Sequence, residues 1–480
     1  VTFVSSVKPI SIVWFKRDLR ISDHQPLKSA LEAGNPVLLL HITEPLWLEQ
    51  PDFDLRHLRF VMQSLGSMDA ELAKHRYSIS RFYGEAMNVF NLLTGAMPVA
   101  AVYSYLETGN RFTFDRDKSV AGLLKSREIR WFEFEADGIK RGIKHRNGWA
   151  EHIAQVFGKP LAEPDWKNAP PPPAEVPVDI KLRFAFPESV LKSIVPDASF
   201  QPGGTHNGLR YLESFLNHRS KTYMASISKP EASRNSCSRI SPYLAWGNLS
   251  VRQVLRAMQP FYGTGNDRNL KQFADRLHWR VHFIQRFESN CQLESELQSP
   301  LHEGIRQDWD EERYLAWENG QSGFPLVDAC IRAVKATGYL NFRMRSMLVS
   351  FLTHHLWLDW RRSAHFLARQ FLDYEPGIHY CQFQMQSATS GVHTIRVYNP
   401  VKQSLEHDPE GVFIRKWLPE LGTLPLALLH QPWKMSAMEQ QMFGVEIGKD
   451  YPAPVIDHEA SYRRATETLW KLAGSGPKLP

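Results

Sequence analysis

The hydrophobic pattern changes once along this chain. Over the first ~135 residues, short apolar runs alternate with amphipathic stretches, and the spacing predicts strands at Ile10–Phe15, Pro36–His41, Ser78–Phe82, Val99–Ser104 and Ile129–Phe134. Between them, Leu55–Leu72 carries Leu58, Val61, Met62, Leu65 and Leu72 at helical spacing. Short strands separated by helices read as βαβ units, hence a parallel sheet covered on both faces. Beyond residue 204 the period becomes 3.6 almost throughout. Leu209, Leu212, Phe215 and Leu216 form one stripe, and Met344, Met347, Leu348, Phe351 and Leu352 form another. Ser250 with Gln253 has the form of a capping box opening a helix at Val251–Met258. Residues 160–202 hold Pro164, Pro170–Pro173 and Pro177, an extended connector expected to leave no room for regular structure. The expected architecture is an α/β doubly wound parallel-sheet N-terminal domain (1–135), a Pro-rich connector (136–203) and an all-α domain (204–480).

Composition narrows the class. The chain has 480 residues, 43% hydrophobic and 22% charged, which excludes global disorder. No run approaches the ~18 apolar residues of a membrane helix, and Lys8, Lys16, Arg17 and Arg20 interrupt any secretory signal. Cys237, Cys291, Cys330 and Cys381 are too scattered for a zinc site, an iron–sulfur cluster or a disulfide framework, so no metal is expected and the reducing cytoplasm is. A net charge of +6 points mildly to a polyanionic partner, and a slightly basic enzyme reads equally well. No GxGxxG and no P-loop occurs in the first half.

Two places carry candidate chemistry. On a helix through Phe273–Phe287, Phe273, Leu277 and Ile284 share one face; Arg280 falls inside that arc and Arg276 at its margin. A guanidinium there needs an anion, either a core carboxylate or a bound phosphate or carboxylate. Further on, Arg343 and Arg345 flank the second stripe, and DYEPG (Asp373–Gly377) supplies Asp373 and Glu375 at the expected end of a helix broken by Pro376. Arg345 with Asp373 reads either as part of a polar pocket or as an interhelical ion pair.

Five segments, in order, resemble the photolyase/cryptochrome superfamily: WFKRDLRISDHQPL near the N-terminus, SRISPYLAWGNLS (238–250), WENGQSGFPLVDACIRAVKATGYLNFRMR (317–345), YNPVKQSLEHDPEGVFIRKWLPEL (398–421) and YPAPVIDHEASYRRA (451–465). The resemblance implies a bent FAD in an all-α FAD-binding domain. Tyr223, Ser238, Ile240 and Ser241 match its phosphate and ribityl contacts, Arg280 a flavin-facing arginine, Arg345 and Asp373 the ion pair on the isoalloxazine, and Glu375 a nearby carboxylate. It further implies light-driven repair of UV-damaged DNA by electron transfer from reduced FAD, in a monomer with no membrane association. Trp279 matches the tryptophan that stacks on the lesion. Arg396 and, more weakly, Lys402 match phosphate contacts.

The pattern is also broken in places. Arg276 stands where the family has a lesion-binding glutamate, Met385 where it has a second tryptophan, and Phe342 and Ser346 where dimer-repairing members have asparagine and methionine. His379 stands opposite flavin N5, as flavin partner or proton donor. Trp360 matches the middle tryptophan of the electron chain, Phe383 replaces the proximal one, and Trp309 lies near the outer position, with Tyr380, Trp357 or Tyr374 as substitutes. Gly109 and Asn110 replace the Asn-Glu folate contacts, so a second antenna chromophore, folate or deazaflavin, is expected without a chosen identity. His354 and His355 are read as surface or interhelix residues. Cyclobutane dimer repair leads; a cryptochrome-type blue-light receptor and (6-4) photoproduct repair are the alternatives. Family receptors often carry a long C-terminal extension, and the chain ends at Pro480, which favours repair.

Overall fold

The computed structural model of the chain describes residues 8–143, 145–173, 175–299, 302–390 and 396–475, so Pro480 lies outside the described residues. Strands β1 (Ile10–Phe15), β2 (Val37–Thr43), β3 (Ile79–Tyr83), β4 (Val99–Tyr105) and β5 (Arg130–Phe134) lie within about two residues of the runs the sequence predicts. Helices α1 (Gln25–Glu32), α2 (Leu55–Leu72), α3 (Ala86–Ala96) and α4 (Arg111–Ser126) alternate with them. Every pair is parallel and the order is β3-β2-β1-β4-β5. All six residues of β1 are buried, as a central strand covered on both faces requires. β5, at the edge, has no fully buried residue. Trp14 sets one side of the core, its ring edge-on to Phe90 at 5.0 Å.

The later helices that matter here are α5 (Asp267–Ser289), α6 (Phe342–Ser350), α7 (Trp360–Gln370), α8 (Pro376–Gln386), α9 (Pro400–His407) and α10 (His458–Ser475). Among the described residues beyond 204, the regular structure is helical apart from an isolated bridge between Ile447 and Tyr451. The Ser250–Gln253 capping box forms as expected. No helix of the described residues is long and apolar enough to cross a membrane.

Three expectations need correction, and a fourth is narrowed. The connector carries helices at Trp149–Gly158, Val178–Arg183 and Glu188–Ser193; prolines punctuate it, and Pro177 and Pro187 sit at the N-caps of the last two. Pro376 does not break a helix. It opens α8, where its missing N–H costs nothing, so Asp373 and Glu375 precede a helix rather than end one. Leu209 is 47% exposed, while Leu212, Phe215 and Leu216 keep to the core. His354 and His355 are fully buried and bond to other helices, so the interhelix placement holds and the surface one does not.

The chain forms two compact units that are not consecutive in sequence. One takes in the chain up to Leu216, Arg239–Cys291 and Leu372–Gly377; the other takes in Asn217–Ser238, Gln292–Phe371 and the chain from Ile378. Within the first, Gly247 (φ +71°) passes so close to Arg17 and Asp18 that a Cβ would collide with their backbone. The Gly247 carbonyl accepts from buried Arg20 at 3.0 Å.

Candidate functional site

In the first unit the site grows from α5. Phe273, Leu277, Ile284 and Phe287 are buried along one face, and Arg280 lies in that arc as the periodicity requires. Its Nη2 donates to Glu375 Oε2 at 3.0 Å and to the Leu244 carbonyl at 3.0 Å. The anion that the buried guanidinium needs is therefore a core carboxylate. The partnership is incomplete, because Arg280 Nε is buried and has no acceptor among the described residues. Arg17 adds a second cation, 3.9 Å from Glu375, with its Nη2 donating to the Tyr374 carbonyl at 2.5 Å. The Asp373–Gly377 turn is thus fixed by both its backbone and its carboxylate. Gly377 lets this turn lie against α5; a Cβ there would come within 2.8 Å of Ile284 Cα.

One position before Arg280, Trp279 turns outward and is 50% exposed. It stacks on Phe283 (5.7 Å, 27°) and meets His282 edge-on. Arg276, one turn earlier, is exposed as well. Ile240 is buried and Ser241 begins the short helix Ser241–Ala245; Asp373 is half-buried.

The same unit carries clefts at the carboxyl ends of its strands. Strand order reverses between β1 and β4, the place where open parallel sheets bind ligands. A cavity there is lined by Arg17, Tyr105, Glu107, Asp137, Arg280 and Glu375. A second, beside the ends of β1 and β2, is lined by His41, Trp47, His57, Asn110, Trp246 and Tyr374. Burial lowers the His41 pKa to about 4, so the ring is neutral, and its Nδ1 has no partner among the described residues. Asn110 caps α4 through Thr113 and donates to Asp52 at 3.0 Å; Tyr374 also bonds Asp52, at 2.5 Å.

The second unit holds the remaining predicted residues. Tyr223 and Ser238 are buried, and the Ser238 carbonyl accepts from Arg219 at 3.2 Å. Arg345 donates through Nε to the Leu340 carbonyl at 2.7 Å and lies 3.9 Å from the Phe371 ring centre. His379 is buried; its Nε2 faces the Ala364 carbonyl at 2.8 Å and therefore carries the hydrogen. Its ring is 4.7 Å from Phe383, which is 6.4 Å from Trp360. Trp360 and Tyr380 are both about 1% exposed, whereas Trp309 is 38% exposed, bonded to Glu311 and 5.0 Å from Tyr314. Met385 is half-buried near the end of α8.

Arg396 and Lys402 are exposed, and they share an open cleft of about 570 Å³ with Arg343, Tyr398, Asn399 and Tyr462. Arg343 Nη1 donates to Tyr398 Oη at 3.2 Å. The sequence placed Arg343 beside the core stripe but gave it no role. Tyr398 was missed altogether, because one aromatic in a polar stretch carries no periodic signal.

Comparison with known proteins agrees with this layout. Residues 11–161 match the family described as DNA photolyase, and residues 273–471 match the FAD binding domain of DNA photolyase. Cryptochrome DASH of Gloeobacter violaceus is 30% identical over 491 residues, covering 95% of this chain and 96% of that protein. The deoxyribodipyrimidine photo-lyase of Alkalihalophilus pseudofirmus is 27% identical, covering 95% and 97%. Among solved structures, a Synechocystis cryptochrome shares the fold with a TM-score of 0.86 at 24% identity, over 97% of this chain and 100% of that one. A bacterial class III photolyase from Agrobacterium tumefaciens does so with a TM-score of 0.83 at 22% identity, over 99% and 100%. With both the α/β sheet and the FAD-binding helices matched in order over nearly its whole length, the chain belongs to the photolyase/cryptochrome superfamily.

Proposed function

We propose that this protein is a light-dependent DNA repair lyase that splits UV-induced pyrimidine dimers, cyclobutane type first. The observation that carries this reading is the pair of neighbours on α5: Arg280, whose buried Nε has no acceptor among the described residues, and Trp279, half-exposed on the outer side of the helix. One residue is suited to an anionic cofactor and the next to a flipped base, whose stacking on an aromatic is worth ~1–3 kcal/mol.

The donor set suits FAD. Arg280 Nε is a buried cationic donor wanting an acceptor, and Ser238, Ser241 and Tyr223 offer hydroxyls for phosphate and ribityl oxygens. We assign Tyr223, Ser238, Ile240, Ser241, Arg280, Arg345, Asp373 and Glu375 to holding it, with His379 beside its ring system. Reduced FAD, when bound, supplies under light the electron that opens the dimer and takes it back afterwards. The side chains orient, stack and exclude water. Trp279, Arg276 and Met385 receive the lesion, while Arg396 and Lys402 meet DNA phosphates, which would make binding fall with salt. Trp360, with Trp309 and Tyr380, carries electrons toward the flavin.

We assign an antenna-type role to residues 1–135, a connector role to 136–203 and the catalytic role to 204–480. The cavity at the ends of β1 and β2 offers aromatic walls and the unpartnered His41 Nδ1 to a planar second chromophore, folate or deazaflavin. We assign it a monomeric state and a cytoplasmic location.

A cryptochrome-type receptor is the second reading. It is favoured by Phe342, 46% exposed where dimer-repairing members have asparagine, and by Met385 in place of an aromatic. Repair of (6-4) photoproducts would need histidines where Phe342 and Ser346 stand. The deciding experiment incubates the reduced holoprotein with DNA carrying either lesion, in light and in darkness. Light-dependent loss of cyclobutane dimers supports the lead reading; no change in either lesion moves the assignment to the receptor.

A further inference from the structure

Helix α6 does not stop cleanly at Ser350. Phe351–His355 continues as a π-helical turn, and such widened turns often accompany function. Here the turn sends two consecutive imidazoles into the interior, and their partners fix both tautomers. His354 Nε2 faces the Gln386 carbonyl at 3.0 Å and must donate; its Nδ1 faces Arg306 Nη2 at 3.1 Å and must accept. Arg306 also donates to the Ser387 carbonyl at 3.0 Å, so the chain leaving α8 is held by the histidine and the arginine together. His355 Nε2 donates to the Tyr398 carbonyl at 2.9 Å, and its Nδ1 lies 2.8 Å from Ser461 Oγ on α10. Tyr398 is bonded three ways: carbonyl to His355, amide to Ser350 Oγ at 3.0 Å, and hydroxyl to Arg343 at 3.2 Å. Its ring lines the open cleft that also contains Arg343, Arg396 and Lys402.

We propose that His355 is a positioning residue for DNA binding: through Nε2 it seats Tyr398, and Tyr398 in turn aims Arg343 into the cleft that takes backbone phosphate. His354 does the corresponding work for Gln386, next to Met385. Neither imidazole touches substrate, since both ring nitrogens of each are engaged in the interior. Burial keeps both rings neutral, pushing His354 well below its ordinary pKa and His355 to about 4, so the donor and acceptor pattern holds at working pH. The inference rests on the DNA-binding reading of this cleft.

The test compares wild-type, His355→Gln and His355→Asn holoproteins. Glutamine places an amide N–H where Nε2 stood, and asparagine places one where Nδ1 stood. Two quantities are read: affinity for a duplex carrying UV-induced dimers, and hydrogen exchange at the Tyr398 amide. We expect His355→Gln to bind within about threefold of wild type and His355→Asn about tenfold more weakly, the effect of one lost hydrogen bond. Flavin content should be equal in all three. Equal loss in both variants, or loss in neither, overturns the proposal. A wild type that binds no DNA sinks the preceding reading instead. The Tyr398 amide then decides: faster exchange in the asparagine variant alone upholds the positioning role, and equal exchange ends it.

Discussion

Arg280 and Glu375 stand 95 residues apart in sequence and meet at 3.0 Å in a buried ion pair. With side chains only 12% and 7% exposed, neither charge can fall back on water. Removing one partner of such a pair costs about 3–5 kcal/mol, because the other is left buried and uncompensated. Glu375→Ala should therefore lower unfolding stability by about that amount and release bound flavin. Denaturant titration and the flavin absorbance of the purified protein check this. A variant that melts like wild type and stays yellow would refute it.

Trp279 should behave oppositely. Half-exposed and stacked on Phe283, it contributes little to the core. Trp279→Ala should shift stability by no more than about 0.5–1 kcal/mol. Affinity for dimer-containing DNA should drop ~10–100-fold, the value of one lost base stack. Binding curves on damaged and undamaged duplexes separate the effects, and equal losses on both would contradict a lesion-facing ring.

Acid should destabilise the fold through its buried histidines, His41 and His355 among them. Burial lowers His41 and His355 to about 4, well under the ordinary 6.5. Between those pH values the unfolded chain binds a proton that the native state refuses, so stability rises with pH across that window and is flat above it. Each group accounts for about 3 kcal/mol lost between pH 7 and pH 4. His41→Gln should make the curve of unfolding free energy against pH shallower over pH 4–6.5; an unchanged slope would show that His41 titrates normally.

Photoreduction depends on Trp360 in our reading. Between it and His379 lies Phe383, 6.4 Å from Trp360, 4.7 Å from His379 and hard to oxidise. Trp360→Phe should slow flavin photoreduction at least ~tenfold, a barrier increase of about 1.4 kcal/mol. Phe383→Trp should speed it. Blue-light bleaching of oxidised flavin measures both, and a normal rate in Trp360→Phe removes this route.

The sheet was legible because its code is local: five apolar runs at the right spacing, with β1 buried on both faces. Arg280 was legible too, since a charge inside an apolar arc is visible from 3.6-residue periodicity alone. Its partner was not. Glu375 stands just before a helix that Pro376 opens, and a single proline reads the same, opening or closing, from sequence. For His354 and His355 the sequence allows two placements, surface or interhelix, because a continued helical pattern does not say which helices pack against it; the contacts to Gln386 and Ser461 select the second. The cleft around Tyr398 depends on side chains from α6, α9 and α10, a meeting that no local pattern encodes.

The sheet-bearing unit includes Leu372–Gly377, far down the chain from its strands. During synthesis the nascent polypeptide lays down all five strands and α5 before this hexapeptide leaves the ribosome. At ~5–20 residues per second, Arg280 waits about 5–20 s for Glu375 and Arg17 about 20–70 s. Premature termination before residue 372 would leave two cationic side chains stranded in a half-finished interior, an obvious target for chaperones and quality-control proteases.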